Sequence, residues 1–128
     1  MAYHFSNTVV LPLGKAIERV TEALQKQGFG IITSIDMKKT FKNKLNADFR
    51  NYTILGACNP EYAYKGLSAE NKLGVFLPCN VVVQEHDNGE VEISMINPEE
   101  MVRSIDNPEM KVFAGEVKES LSEAFRNI

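Results

Sequence analysis

Apolar residues recur along this chain with two periods, and these predict an alternating series of strands and helices. Residues 90–95 alternate strictly between polar and apolar side chains, as in a strand with one buried face. Residues 13–24 instead carry apolar side chains three or four positions apart, as on one face of a helix, and Gly28 follows as a helix terminator. The same criteria predict strands over residues 3–11, 29–35, 51–57, 75–85 and 90–96, and helices that start near residues 12, 36, 60, 97 and 108.

The tripeptide Asn-Pro-Glu occurs at residues 59–61, 97–99 and 107–109, and each copy predicts a helix start. The asparagine side chain can accept from free backbone N–H groups, proline suits the first helical turn, and glutamate complements the positive end of the helix dipole. We expect the first of these helices to pack against the sheet through residues that include Gly66 and Leu67.

The turn at residues 87–89 sets the register of the last two predicted strands. A two-residue Asn-Gly turn would place Glu85 opposite Glu92, with like charges together. A three-residue loop that ends on a left-handed glycine instead pairs Val83 with Ile93. We expect the second register, because it keeps the apolar face of the strand pair whole.

These elements predict an α+β fold for a single domain over residues 1–128. Its sheet, mixed or antiparallel, has about five strands with helices packed on it in the order β-α-β-α-β-α-β-β-α. A chain of 128 residues is long enough to bury a core without disulfides or metals. An apolar content of 44% and a charged content of 24% are typical of globular domains, so we expect no disordered region.

Charge and hydropathy exclude several classes of partner. The net charge of −3 gives no general attraction to phosphate backbones, so we expect no nucleic-acid binding, and we attribute the lysines over residues 38–44 to a solvated helix face. No stretch approaches the ~20 apolar residues of a membrane span, and residues 1–5 lack the features of a signal peptide. We therefore expect a cytoplasmic protein without a membrane partner.

The two cysteines, Cys58 and Cys79, are the candidates for chemistry. Cys58 lies just before a predicted helix start, where the dipole favours a thiolate, and Lys44 is a possible neighbouring cation. Such a pair could carry a persulfide, exchange a disulfide or bind a soft metal such as Cu(I). Alternatively both are buried apolar residues, as free cysteine often is. Their separation of 21 residues is not that of a CxxC motif, so both interpretations stay open.

Other sites have little support in the sequence. A zinc site from the two cysteines with His4 and His86 matches no common spacing, so we expect no metal. The chain contains no glycine-rich phosphate loop after a strand, no nucleophile elbow and no HExxH motif. We therefore expect no cofactor and no enzyme of the common hydrolase or nucleotide-dependent classes.

Three segments carry a family resemblance: GFG at residues 28–30, LGACNPEYAYKGL at 55–67 and LGVFLPCNVVV at 73–83. With the Lys44-Leu45 pair and the Asn97-Pro98 turn, the chain resembles, nearly end to end, the family catalogued as domain of unknown function 302. The resemblance implies a single α+β domain that forms a homodimer and has no established activity. By the family motif, the positions to watch are Cys58, Asn59, Pro60, Pro78, Cys79 and Asn80.

We therefore predict an uncharacterised module that binds a small ligand or handles thiols or sulfur in a pocket near Cys58 and Cys79. The predicted ligand-binding residues are Cys58, Asn59, Cys79, Asn80 and Lys44. The alternative is an interaction or assembly protein in which both cysteines are core packing. We expect a binding function rather than catalysis, a homodimer, and a small molecule as a possible partner.

Overall fold

The computed structural model describes residues 2–128, which form an antiparallel sheet with helices packed on it. The strands are β1 (His4–Val9), β2 (Gly30–Asp36), β3 (Tyr52–Cys58), β4 (Cys79–Glu85) and β5 (Val91–Ile96). The helices are α1 (Leu13–Gln25), α2 (Met37–Leu45), α3 (Pro60–Ala69), α4 (Pro98–Met101) and α5 (Pro108–Arg126). The sheet order is β1-β5-β4-β3-β2, with every neighbouring pair antiparallel. The predicted α+β class is confirmed, and the sheet is antiparallel rather than mixed.

The three Asn-Pro-Glu tripeptides begin helices as predicted. The side-chain oxygens of Asn59, Asn97 and Asn107 each accept a hydrogen bond from the backbone N–H two residues later, at 3.1 to 3.2 Å. Each proline occupies the first turn of α3, α4 or α5, where its missing N–H costs no helical hydrogen bond.

The register of the β4–β5 hairpin is also the predicted one. Val83 lies opposite Ile93, and Gly89 has a left-handed φ of 86°. This pairing directs Val81, Val83, Ile93 and Met95 to the face on which α1 packs, and residues of α5 complete the same core. The largest fully buried side chains are Val20, Leu24, Leu55, Leu73, Val81, Val83, Val91, Ile93, Met95, Met110, Val117 and Leu121.

The opposite face of the sheet, here called the open face, remains accessible to solvent. Along β4 and β5 its side chains are exposed or half-buried, among them Asn80, Val82 and Ser94. Helix α2 is joined to the edge of this face by aromatic contacts from Phe41 to Phe49 and from Phe49 to Tyr52, with ring centroids 5.0 and 6.0 Å apart.

The predicted strand over residues 75–85 is too long, because β4 begins only at Cys79. Residues Leu73–Phe76 form a 3₁₀ turn instead, and Pro78, which has no N–H for a strand ladder, follows it. The apolar run Val75-Phe76-Leu77 resembled a strand in sequence. However, Val75 is 82% exposed and takes no part in the sheet.

One predicted burial position is also wrong, and one apolar residue of β2 lies outside the alternation of its strand. Leu67 in α3 is 41% exposed, because this helix contacts α5 and the 3₁₀ turn rather than lying flat on the sheet. Ile32 in β2 is 61% exposed, because the β2–β3 register shifts between Ile31 and Thr33 and removes it from the regular alternation.

Gly66 is a close-packing point that mutation can test. A Cβ at this position would lie 2.5 Å from Leu73 Cδ2 and 2.7 Å from Phe113 Cε1, whereas a Cβ at Gly115 would meet no atom within 4 Å. Both glycines lie inside helices. Gly66→Ala should lower the free energy of unfolding by about 1–3 kcal/mol. Gly115→Ala should raise it by about 0.5–1 kcal/mol. Urea denaturation checks both, and equal stabilities for the two variants would contradict this packing.

Candidate functional site

Cys58 and Cys79 lie at neighbouring ends of β3 and β4. Ala57, the residue before Cys58, pairs with Cys79 across the two strands. Both cysteines line one cavity, so folding brings the two distant positions together as predicted. The cavity measures about 20 Å³, which is room for about one water molecule and for no organic ligand. Its other lining residues are Phe29, Ala57, Asn59, Tyr62, Ala63, Leu77, Pro78, Phe113 and Val117.

The two thiols differ in their surroundings. Cys79 is buried and Cys58 is only half-buried. Burial, and secondarily the proximity of Cys58, raises the pKa of Cys79 from 9.0 to about 11. At neutral pH Cys79 is therefore a neutral thiol, the form that is a poor nucleophile and a poor metal ligand.

Two further predicted ligand-binding residues, Asn59 and Lys44, have their polar atoms engaged elsewhere or lie away from the cysteine cavity. The Asn59 oxygen accepts from the backbone N–H groups of Glu61 and Tyr62 at 3.1 and 3.3 Å, and its amide nitrogen donates to the Gln27 carbonyl at 3.1 Å. Its polar atoms thus hold α3 in place. Lys44 is exposed in the last turn of α2, where its charge complements the helix dipole, and it does not line the cysteine cavity.

Asn80 lies on the other side of the sheet from Cys79. Successive residues of a strand point to opposite faces, so the buried Cys79 is followed by the exposed Asn80 on the open face. There Asn80 lines a cavity of about 300 Å³, here called the open-face concavity. Its other lining residues are Tyr3, His4, Ser6, Tyr52, Val82, Gln84, Glu92, Ser94, Met95 and Ile96.

A chain of hydrogen bonds crosses the β1–β5 side of the open-face concavity. His4 Nδ1 lies 2.8 Å from Ser6 Oγ, and Ser6 Oγ lies 2.7 Å from Ser94 Oγ. Nearby, Glu92 Oε1 lies 3.0 Å from His86 Nε2 and accepts from Gln84 Nε2 at 3.4 Å. The cross-strand pairing of Ser6 with Ser94 explains why these hydroxyls meet.

Other side chains of the concavity retain free hydrogen-bonding capacity. Within residues 2–128, the Asn80 amide and the Tyr52 hydroxyl make no hydrogen bond to another group of the protein. The corresponding amides of Asn97 and Asn107, which line two other clefts, are both taken up by helix caps and backbone carbonyls. The Asn80 amide and the Tyr52 hydroxyl are therefore available to a ligand, unlike the amides of Asn97 and Asn107.

The sequence predicts Asn80 as a ligand-binding residue of the cysteine cavity, whereas Asn80 lines the open-face concavity, which was not predicted. The strict alternation over residues 90–95 contained the signal, since it placed Glu92 and Ser94 together on one side of a strand. The sequence pattern did not show which strand lies beside β5. Only the pairing of β1 with β5 adds His4 and Ser6.

The potential zinc ligands are not assembled by the fold. His4 lies on the open face and its Nδ1 contacts Ser6, while His86 contacts Glu92, and the two cysteines line the separate cavity. Among residues 2–128, no three His, Cys, Asp or Glu side chains are grouped as metal ligands. In the same part of the chain, no helix has both the length and the apolar character to cross a bilayer.

The fold defines a single-domain α+β protein with an antiparallel sheet whose core face is covered by helices. The family model described as "Domain of unknown function DUF302" matches residues 5–128, and the chain belongs to this family. A similar solved structure is the uncharacterized conserved protein DUF302 from Bacillus stearothermophilus. It is 28% identical with a TM-score of 0.92, and the match covers 99% of this chain and 98% of that one. None of the curated proteins matches the chain.

Native-state alkylation tests the difference between the thiols. With iodoacetamide at neutral pH, Cys58 should be modified in the folded protein, and Cys79 should react only after denaturant is added, because it is buried and protonated. Peptide mass spectrometry identifies the labelled residue. Equal labelling rates for both cysteines would contradict the assigned burial, and protection of both would exclude a reachable thiol site.

The raised pKa of Cys79 also predicts how stability depends on pH. The unfolded thiol ionises near 9.0 and the folded one near 11. The unfolded state therefore binds fewer protons between these values, and stability that is complete below pH 9 is lost as the pH rises toward 11. The loss should reach about 2–3 kcal/mol. Urea denaturation from pH 8 to 11 measures it, and the slope should be smaller in Cys79→Ala but retained in Cys58→Ala.

Proposed function

We propose that this protein is a small-ligand-binding module without catalytic activity, and that its ligand binds in the open-face concavity. One observation carries the proposal: this cavity of about 300 Å³ contains polar side chains with free hydrogen-bonding capacity. The volume lies at the lower end of the range for small-molecule sites, roughly 300–1,000 Å³. The cysteine cavity is about 20 Å³, far below that range.

The mixture of side chains also supports a binding function. Val82 and Ile96 contribute apolar surface, and Tyr52 contributes an aromatic ring. The hydroxyls of Ser6 and Ser94 lie among them. Small-molecule sites combine apolar contact with a few convergent polar groups in this way, because the first gives affinity and the second gives orientation.

A thiol or sulfur-handling function near Cys58 and Cys79 has less support. The neutral Cys79 is a poor nucleophile at neutral pH, and the cavity leaves no room for an organic thiol. Asn59 lines the cysteine cavity, but its side chain is hydrogen-bonded in the cap of α3 and to Gln27. Lys44 does not line that cavity. The ligand roles of both residues stay predictions.

The alternative function, assembly, also stays a prediction. Ile32 and Ile35 at the β2 edge of the sheet are 61% and 46% exposed, which is compatible with self-association. Sedimentation equilibrium separates the two states, because a monomer has a mass of 14.3 kDa and a homodimer twice that. A concentration-independent monomer would exclude the expected homodimer.

A fragment titration followed by ¹H–¹⁵N NMR tests the proposed function. Binding fragments should shift the amides of Val82 and Ser94 saturably. Asn80→Trp should reduce their affinity at least about tenfold, because the indole fills part of the concavity. The matched control is Asn7→Trp, an exposed position on β1 that does not line this cavity, and it should leave affinity unchanged. Shifts confined to the cysteine cavity, or binding indifferent to Asn80→Trp, would refute the proposal.

A further inference from the structure

We infer that the open-face concavity takes an uncharged ring molecule with several hydroxyl or amide groups, such as a saccharide or nucleoside, and discriminates against its phosphorylated counterpart. This inference rests on the proposed function and specifies its ligand class. Three properties of the lining residues carry it: their charge, their hydrogen-bonding character and their apolar surface.

The charge of the lining disfavours an anion. Within the described chain, the residues that line the concavity include one carboxylate, Glu92, and no lysine or arginine. Arg50 contacts two of these lining residues, Gln84 and Tyr52. Its Nε donates to Gln84 Oε1 at 2.9 Å, and its guanidinium lies 4.5 Å from the Phe49 ring centroid and 5.6 Å from that of Tyr52. Its Nε–H and its flat face are thus engaged, and Arg50 does not itself line the concavity. Phosphate sites need several cationic or N–H donors aimed at the anion.

The polar groups of the concavity can both donate and accept. Hydroxyls such as those of Ser6 and Ser94 turn to serve in either role, and the Asn80 amide has one oxygen acceptor and two N–H donors. Groups of this kind match ligand hydroxyls and amides, which are donors and acceptors too. A phosphate presents mostly acceptors, so the acceptor oxygens of these side chains would find few donors on it.

The apolar surface favours a ring. Val82, Ile96 and the rings of Tyr3 and Tyr52 line the same cavity as these polar groups. Saccharides and nucleosides carry hydroxyls at their periphery and an apolar or flat face on the ring. An aromatic side chain gains contact with such a face at little cost in conformational entropy. A linear polar molecule would leave this apolar surface exposed.

Matched probes test the ligand class. We would titrate N-acetylglucosamine and adenosine, each against its monophosphate, and follow the amides of Val82 and Ser94 by NMR. At least one uncharged probe should bind saturably, and its monophosphate at least about tenfold more weakly. Ser94→Ala should weaken the uncharged probe at least about threefold. The control Ser68→Ala, on α3 and outside the concavity, should have no effect.

Glu92→Gln isolates the charge effect. Removing the carboxylate should raise the affinity for the monophosphate relative to that for the uncharged probe, by about three- to tenfold at low salt. Monophosphates that bind the wild-type protein as tightly as the uncharged probes would overturn the inference. So would a concavity that binds other fragments but neither uncharged probe, although the proposed function would then survive. If no fragment occupies the concavity, both proposals fall.

Discussion

The pairing of β4 with β5 in one register is the constraint on which the rest of the structure depends. It sets Val81 opposite Met95 and Val83 opposite Ile93, which gives the sheet one continuous apolar face. Helices α1 and α5 bury that face and complete the core. A shift by one residue would exchange the two faces of β4 or β5 and expose the apolar side chains, so the register is strongly determined.

The alternation of side chains along β4 directs Cys79 and Asn80 to opposite faces of the sheet. Cys79 joins the helix-covered core, where burial keeps its thiol protonated, and Asn80 joins the open face. Two neighbouring residues of one family motif therefore serve different parts of the molecule. The core side of this motif is a packing arrangement around a cavity of about 20 Å³, while its open side borders a cavity of about 300 Å³.

The open face contains both hydrogen-bonded polar pairs and accessible apolar side chains. Its polar groups satisfy one another across strands, as in the contacts of Ser6 with Ser94 and of Gln84 with Glu92. Such pairs give this face a polar surface toward water, and apolar side chains such as Val82 stay accessible between them. The solved structure of a DUF302 protein with a TM-score of 0.92 shows that this architecture is shared at 28% identity.

Local sequence patterns determined most of the fold. Asn-Pro-Glu started three helices, and alternation with a three-residue turn fixed the hairpin register, because caps, turns and pleats depend on residues close in the chain. Tertiary structure decided what local patterns cannot contain. Pro78 and the 3₁₀ turn shortened β4, and a register shift exposed Ile32. Above all, β1 came to lie beside β5, which brought His4 and Ser6 to Ser94. The choice of strand neighbours is made by burial of the whole apolar face, so no single segment could reveal the open-face concavity.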